Sequence, residues 1–460
     1  MINYRINKSG ISIVGKDEGV HVINSATLFE NITVLTPDDH GKIKIIDNGY
    51  VAVNNHRIVC VTTNQEEAKA ALPNQYLSYS GKDKLLLPTF ANAHCHLAMT
   101  LMRNSADDMV LQDWLFNNIF PREAKLTPDL IVKGTELAYV ELIRGGTTCV
   151  ADMYFAPHEV AASATQAGLR LNICCESTVS RGVNETRVMW DEVKSFVDQW
   201  HDSQEGRIRA SLLVHSIYLY SESAYRELAN LAKAAGVGIQ IHVSETKKEV
   251  DDCLAQYGMR PPAKLAAEGI FDVPTVAAHC VWLNDEDRDV LARYGVHVAH
   301  NPISNLKLGS GIADVESMQR AGIPVALGTD GAASNNRLDM FSEMRTAALL
   351  AKGVSCDPTA VSAETALNMA TVNGYRALGF VEGGLIQTGA IADLQILRLS
   401  DANLNPPANP TAAVVYSAGR ENVESVMCDG QFLLYKGDLT TLDEAKIRYE
   451  AESASKLIQL

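Results

Sequence analysis

The sequence predicts an α/β fold: a (β/α)8 TIM barrel carrying a small β-sandwich domain built from both chain ends. Three observations predict it. Eight short β-rich runs alternate with helical stretches after Pro88. Nearly every run closes on His, Asp, Glu, Ser or Asn. Strand-and-turn text of one texture lies on both sides of that alternating part.

Residues 1–21 are a polar leader with no role legible in them. From Val22 to about Leu87, apolar and polar residues alternate between Asn, Gly and Asp punctuation, which marks strands and turns. The eight runs follow: LLLPTFANAHCH (85–96), TTCVADMYF (147–155), LRLNICCES (169–177), RIRASLLVHS (207–216), GVGIQIHVSE (236–245), TVAAHC (275–280), HVAHNP (297–302) and PVALGTD (324–330). Amphipathic helices sit between them, among them 223–236 and 284–295. Eight such units in roughly 300 residues indicate a (β/α)8 barrel, whose active site lies at the C-terminal strand ends. After about Leu385 the strands return, and a short helix closes the chain. The expected divisions are 1–87 and 386–440 for the two parts of the sandwich, 88–385 for the barrel, and 441–460 for the C-terminal helix.

Composition narrows the function classes. The chain has 460 residues, 47% hydrophobic and 21% charged, as in a soluble globular protein. Its net charge of -15 argues against a nucleic-acid backbone as partner. There is no apolar run of membrane-spanning length and no secretory signal at the N-terminus, so neither membrane nor export is expected. Nine scattered cysteines without a C-x-x-C read as reduced thiols of a cytoplasmic protein. A homo-oligomer, dimer or tetramer, is the ordinary expectation for such an enzyme. Neither of the common glycine-rich phosphate-binding patterns is present, nor is the H-x-E with P-C-x-x-C zinc deaminase pattern.

The chemistry gathers at the strand ends. His94 and His96 are two apart, so on a strand both imidazoles point to one side, as two ligands of one metal ion must. His242 and His279 end the fifth and sixth runs, Glu245 follows His242 by three, and Asp330 ends the eighth. A single His at a strand end is usually a satisfied polar residue, and Asp in G-T-D-G usually shapes a turn. Four separate strand ends supplying ligand-type side chains to one barrel mouth is a different matter. His94, His96, His242 and Asp330 suit one divalent ion with a position open for water: zinc first, with iron or manganese also permitted. Such an ion brings the pKa of a bound water toward neutrality. Glu245 is placed to shuttle a proton, Asp330 to accept one, and His279 to hydrogen-bond the attacking oxygen.

NAHCHLAMTLMR (92–103), DWLFNNIFPREAKLT (113–127), IRGGTTCVADMYF (143–155), IHVSET (241–246), AAHC (277–280), AHNPISNLKLGSGIA (299–313) and LGTDGAASNN (327–336) together resemble the amidohydrolase superfamily. The likeness is to its aminohydrolase branch, and within it to deaminases of 5′-methylthioadenosine and S-adenosylhomocysteine. It covers about Ser25 to Lys436 and implies a barrel of the metal-dependent hydrolase type. It implies hydrolytic deamination of an adenine nucleoside, with ligands at His94, His96, His242 and Asp330 and proton transfer at Glu245, His279 and Asp330. It also implies substrate contacts: Glu123 on the ribose hydroxyls, Trp114 bordering the pocket, His215 at the fourth strand end, and Arg187 and Ser334 more weakly. Where some relatives carry an arginine facing the substrate tail, this chain has Cys174 or Cys175, so a homocysteine tail is expected to bind poorly. The rival expectations are a deaminase or hydrolase of another heterocycle (guanine, a pterin, a triazine) and a non-catalytic scaffold relative. The second would be expected to have lost ligand residues, and all four positions are filled.

Overall fold

The computed structural model describes residues 26–180 and 186–460, together with two short strands, Tyr4–Arg5 and Ser12–Ile13, paired to each other. The leader expected at 1–21 lies outside the described residues apart from that pair.

Each of the eight runs contributes one strand to a single parallel sheet: Phe90–Asn92, Thr147–Asp152, Arg170–Cys175, Ile208–Leu213, Gly238–Val243, Thr275–His279, His297–His300 and Val325–Leu327, in that order. Backbone hydrogen bonds close the ring between its ends. Ala93 N–H donates to the Leu327 carbonyl at 2.8 Å, and Asp330 N–H to the His94 carbonyl at 2.9 Å. Gly328 permits this approach: a Cβ there would lie 2.8 Å from the His94 nitrogen and 2.4 Å from the Asn301 side chain.

The helices between strands begin and end where local chemistry tells them to. Thr127 caps Pro128–Arg144 by accepting the Leu130 N–H, with Pro128 in the first turn. Asn284 and Asp287 form a reciprocal capping box at the start of Asp285–Arg293. Leu228, Leu231 and Ala232 of helix Glu222–Ala235 are buried, as its 3.6-residue period requires. Inside the barrel small apolar residues alternate with a polar layer. There Ser211 donates to Asn172 at 2.7 Å and Gln240 to the same oxygen at 3.0 Å.

The sandwich differs in construction from two separate sheets. It is one mixed nine-stranded sheet combining Ala26–Pro37, Ile43–Asn54, Arg57–Thr62, Leu77–Ser80 and Lys84–Pro88 with Leu394–Arg398, Val423–Cys428, Gln431–Tyr435 and Asp438–Leu439. The join is Lys84–Pro88 against Leu394–Arg398, antiparallel. The pairing of Ala26–Pro37 shifts register twice, between Phe29 and Ile32 and between Ile32 and Val34. Such bulges bend a strand, and the sheet folds over an aromatic core. Phe29 and Tyr79 from one end of the chain meet Phe432 from the other at 6.3 and 6.0 Å between ring centroids.

Among the described residues no helix is long and apolar enough to cross a membrane. All nine cysteines are free, and only Cys356 is exposed. The closing helix runs Glu444–Leu457 and is tied to the barrel by Glu444 against Arg144 at 2.5 Å.

Candidate active site

The strand ends bring six titratable side chains to one mouth. The ring centroids of His94 lie 4.9 Å from those of both His96 and His242, and 5.5 Å from that of His279. Asp330 Oδ1 lies 3.1 Å from His96 Nε2 and 3.5 Å from His94 Nε2. Glu245 stands beside them, one oxygen 3.9 Å from His279 Nε2. All six are buried.

Backbone geometry aims these groups and is strained in doing so. His279 has φ +71°, Asp330 +62° and Ser244 +50°, a region non-glycine residues rarely occupy. Strain of this kind clusters at working sites. Gly331, next to Asp330, is packed so closely that a Cβ would lie 2.5 Å from the Met99 sulfur.

The imidazoles are oriented from behind. His96 Nδ1 faces the Met153 carbonyl at 2.7 Å and His242 Nδ1 the His215 carbonyl at 2.7 Å. His279 Nδ1 faces the Asn305 side-chain oxygen at 2.8 Å. A carbonyl can only accept, so each Nδ1 carries the proton and each Nε2 presents a lone pair inward. His94 Nε2 is buried with no hydrogen-bond partner among the described residues. Asp330 is held too: its Oδ2 accepts from Ser304 at 2.6 Å and Ser334 at 2.8 Å, and its Oδ1 from the Gly331 N–H at 2.8 Å.

Protonation follows these surroundings. Burial pulls His94 down to about 4 and His215 to about 3, and pushes His242 well below the imidazole range. Burial works the same way on His96, but the adjacent Asp330 carboxylate outweighs it and raises that group. Burial would raise Asp330, yet the adjacent His94 and His96 side chains hold it well below the carboxylate range. Burial raises Glu245, with the neighbouring His279 pulling the other way. Inward-facing imidazoles, an unmatched buried nitrogen and an ionised carboxylate are the donor set a divalent cation takes. Two overlapping groups have the required spacing, His94–His96–Asp330 and His94–His242–His279.

The mouth opens into a pocket of about 710 Å³, including its open end. The sequence-predicted residues His96, Trp114, Glu123, His215, His242, Glu245, His279 and Asp330 line it. Glu123 is raised by burial and accepts from the Tyr154 hydroxyl at 2.8 Å. Trp114 and Glu123 come from one continuous helical stretch over 111–123, which contains a π turn at Leu115–Ile119. That wider turn shifts the inward face by a residue, so Leu111, Trp114, Leu115, Phe120 and Glu123 all reach the pocket.

Two predicted contacts stand elsewhere. Arg187 is exposed, pairs with Glu192 at 3.7 Å and is not part of the pocket wall; the preceding residues 181–185 lie outside the described set. Ser334 reaches Asp330 rather than the pocket. Cys174 and Cys175 are also absent from the wall. Their buried thiols point at the carbonyls of Leu212 and Ser211, and burial raises both, Cys175 to about 12. Sequence reasoning missed Tyr154, Phe155, Tyr218 and Leu308, which line the pocket, and Ser304 and Asn305, which steady Asp330 and His279. Tyr154 and Phe155 close the second β run, so position at a strand end was the available signal.

The chain is similar to known proteins over most of its length. The amidohydrolase family model matches residues 85–433. A 5-methylthioadenosine/S-adenosylhomocysteine deaminase of Acetivibrio thermocellus is 43% identical over 417 residues, 90% of this chain and 95% of the relative. A 5′-deoxyadenosine deaminase of Methanothermobacter thermautotrophicus is 42% identical over 93% of this chain and 98% of its own. Among solved structures, an adenosine deaminase from Xanthomonas campestris with bound zinc superposes with a TM-score of 0.87 at 36% identity, covering 94% of this chain and 98% of the other.

Proposed function

The chain belongs to the amidohydrolase family, and from that premise we propose that it is a metal-dependent aminohydrolase that converts an adenine nucleoside to the inosine-type product and ammonia. The observation that carries the reading is the pairing of Glu245 and His279 with the His94–His96–His242–Asp330 cluster at the end of a largely apolar pocket.

In this reading His94, His96, His242 and Asp330 hold one divalent ion, zinc in preference to iron or manganese. When bound, the ion supplies Lewis acidity and brings a water molecule's pKa toward neutrality. Water adds to the ring carbon bearing the amine, and Asp330 takes its proton. Glu245 gives a proton to the adjoining ring nitrogen, and its raised affinity for the proton suits that task. His279, its Nδ1 proton directed at Asn305, accepts a hydrogen bond from the attacking water on its Nε2 lone pair and so orients it. The C–N bond then breaks as the amine takes the proton held by Asp330 and leaves as ammonia, while the new hydroxyl gives its proton to Glu245 and becomes the carbonyl. Glu123 receives the ribose hydroxyls, Trp114 and Tyr154 flank the sugar, and His215 contacts the substrate as a neutral imidazole.

No arginine or lysine is among the described pocket residues, whose outer part is Leu111, Leu115, Phe120, Phe155 and Tyr218. Such a wall favours a methylthio, methyl or hydroxyl group at the 5′ position over a zwitterionic homocysteine tail. Cytoplasmic residence is part of the proposal, supported by the free thiols, as is a homo-oligomeric state.

The test is ammonia release, with the ultraviolet shift from adenine to hypoxanthine, from protein of measured metal content. 5′-Methylthioadenosine, 5′-deoxyadenosine, adenosine and S-adenosylhomocysteine are compared side by side. The expected result is turnover of the first three with S-adenosylhomocysteine the weakest. One metal per chain with no turnover of any adenine nucleoside would discard the substrate, and guanine, pterins and triazines would be next.

A further inference from the structure

The turn that presents Glu245 is itself held by a second buried carboxylate. Residues 244–249 read Ser-Glu-Thr-Lys-Lys-Glu. Thr246 and Glu249 have the spacing of a capping box, in which the glutamate folds back onto the N–H of the capping threonine. Half of that device is present: Thr246 Oγ1 accepts the Glu249 N–H at 3.2 Å and starts helix Lys247–Tyr257. The other half is redirected. The Glu249 carboxylate passes the cap residue and accepts the N–H of Ser244 on one oxygen at 2.7 Å and that of Glu245 on the other at 2.8 Å.

Two consecutive N–H groups point the same way because Ser244 is left-handed, with φ +50°. Glu249 is buried and forms no ion pair among the described residues; the neighbouring Lys247 and Lys248 pair with Asp251 and Asp252. Glu249 is not part of the pocket that holds Glu245. The same turn is tied on its far side. The Ser244 carbonyl accepts from Val281 at 3.1 Å and Trp282 at 2.9 Å. The Trp282 indole donates to the Ser310 carbonyl at 2.6 Å, and the Ser310 hydroxyl donates to Glu245 Oε1 at 3.1 Å. Glu245 is thus gripped at its backbone by Glu249 and at its carboxylate by Ser310, through one closed circuit of hydrogen bonds. A left-handed serine adjacent to a working carboxylate has a conformational cost, and the bidentate grip offsets it.

We propose that Glu249 is a positioning residue for the deamination: it fixes the turn at 244–245 and so the place of the Glu245 carboxylate, without touching the substrate. The proposal rests on the proton-transfer role given to Glu245 above. The experiment compares Glu249→Gln and Glu249→Ala in the wild-type and Glu245→Gln backgrounds. Glu249→Gln keeps one acceptor oxygen and turns an NH2 toward the other N–H. It is expected to lower kcat by about 10–100-fold, with metal content kept and KM within about threefold, and Glu249→Ala to lower it further. With enzyme in excess over substrate, adding Glu249→Gln to Glu245→Gln is expected to change the residual rate by less than about twofold, because the residue acts through Glu245. Hydrogen exchange of the 244–245 amides is expected to speed up in both Glu249 variants while the barrel strands stay protected. This last readout needs no turnover, so it decides the positioning role even if the substrate assignment fails. A Glu249→Gln enzyme with wild-type kcat, an equal loss in both backgrounds, unchanged exchange at 244–245, or loss of the whole fold in both variants would each overturn it.

Discussion

Two buried polar clusters sit at opposite ends of the barrel, and they are built on opposite principles. At the end nearer the sandwich, Arg170, at the start of the third strand, meets Asp393 at 2.9 Å and Asp429 at 3.1 Å. Asp393 also accepts from the Tyr375 hydroxyl and the Asp429 N–H. Arg207 lies 3.6 Å from Asp429, so two arginines face two aspartates and each carboxylate has a cation beside it. At the mouth, imidazole lone pairs and carboxylates converge, and among the described residues His94 Nε2 has no hydrogen-bond partner and no arginine or lysine lines the pocket. A matched buried network holds a fold together. A convergent and unmatched one is stable only for what it binds, which is why perturbed groups mark working sites.

The largest effects that could break this comparison lie at the mouth. Stripping metal with a chelator is expected to abolish turnover, and zinc to restore it, while the far cluster and the fold persist by circular dichroism. Activity that survives at less than one metal per ten chains would remove the reason for the unmatched donors. Glu245→Gln comes next. It is expected to retain metal and to lose about 10²–10⁴-fold in kcat, and near-normal ammonia release would end the proton-transfer role.

At the far cluster the same kind of deletion should act on stability and leave chemistry alone. Arg170→Ala leaves Asp393 buried without its cation, while Asp429 keeps Arg207 at 3.6 Å, and a loss of about 3–5 kcal/mol in unfolding free energy is expected. The kcat of the protein that remains folded should be unchanged. A variant that kept its stability but lost activity would show that the two clusters are not separable.

Much of this architecture was legible in the sequence, and the reasons are local. Strand alternation, cap residues and the two-residue spacing of His94 and His96 act within a few positions, so the eight strands and the titratable groups at their ends could be read directly. What escaped depended on distant partners or on small departures from regular geometry. The pocket face of 111–123 depends on one π turn. Arg170 and Asp393 are 223 positions apart. Glu249 carried an ordinary capping signature and was put to another use. The folded-over sheet follows from bulges in Ala26–Pro37, which no alternation pattern announces.

The smallest effect in the comparison is a pH dependence at the far cluster. Burial would raise Asp393, but the charge of Arg170, then its hydrogen bond, outweighs burial and holds the carboxyl below the ordinary aspartate range. A folded-state pKa below the unfolded one means that the folded protein prefers the ionised form. That stabilisation is fully present above the unfolded value and is lost as pH falls through the lower, folded one. Asp393→Asn mimics the protonated side chain. The melting-temperature gap between wild type and Asp393→Asn should therefore be constant from neutral pH to about pH 5 and narrow as acid is added below the ordinary aspartate pKa of about 3.9. A gap that stayed the same down to the acid transition would mean that Arg170 does not set the ionisation of Asp393, and the matched cluster would have to be read as hydrogen-bonded rather than ionic.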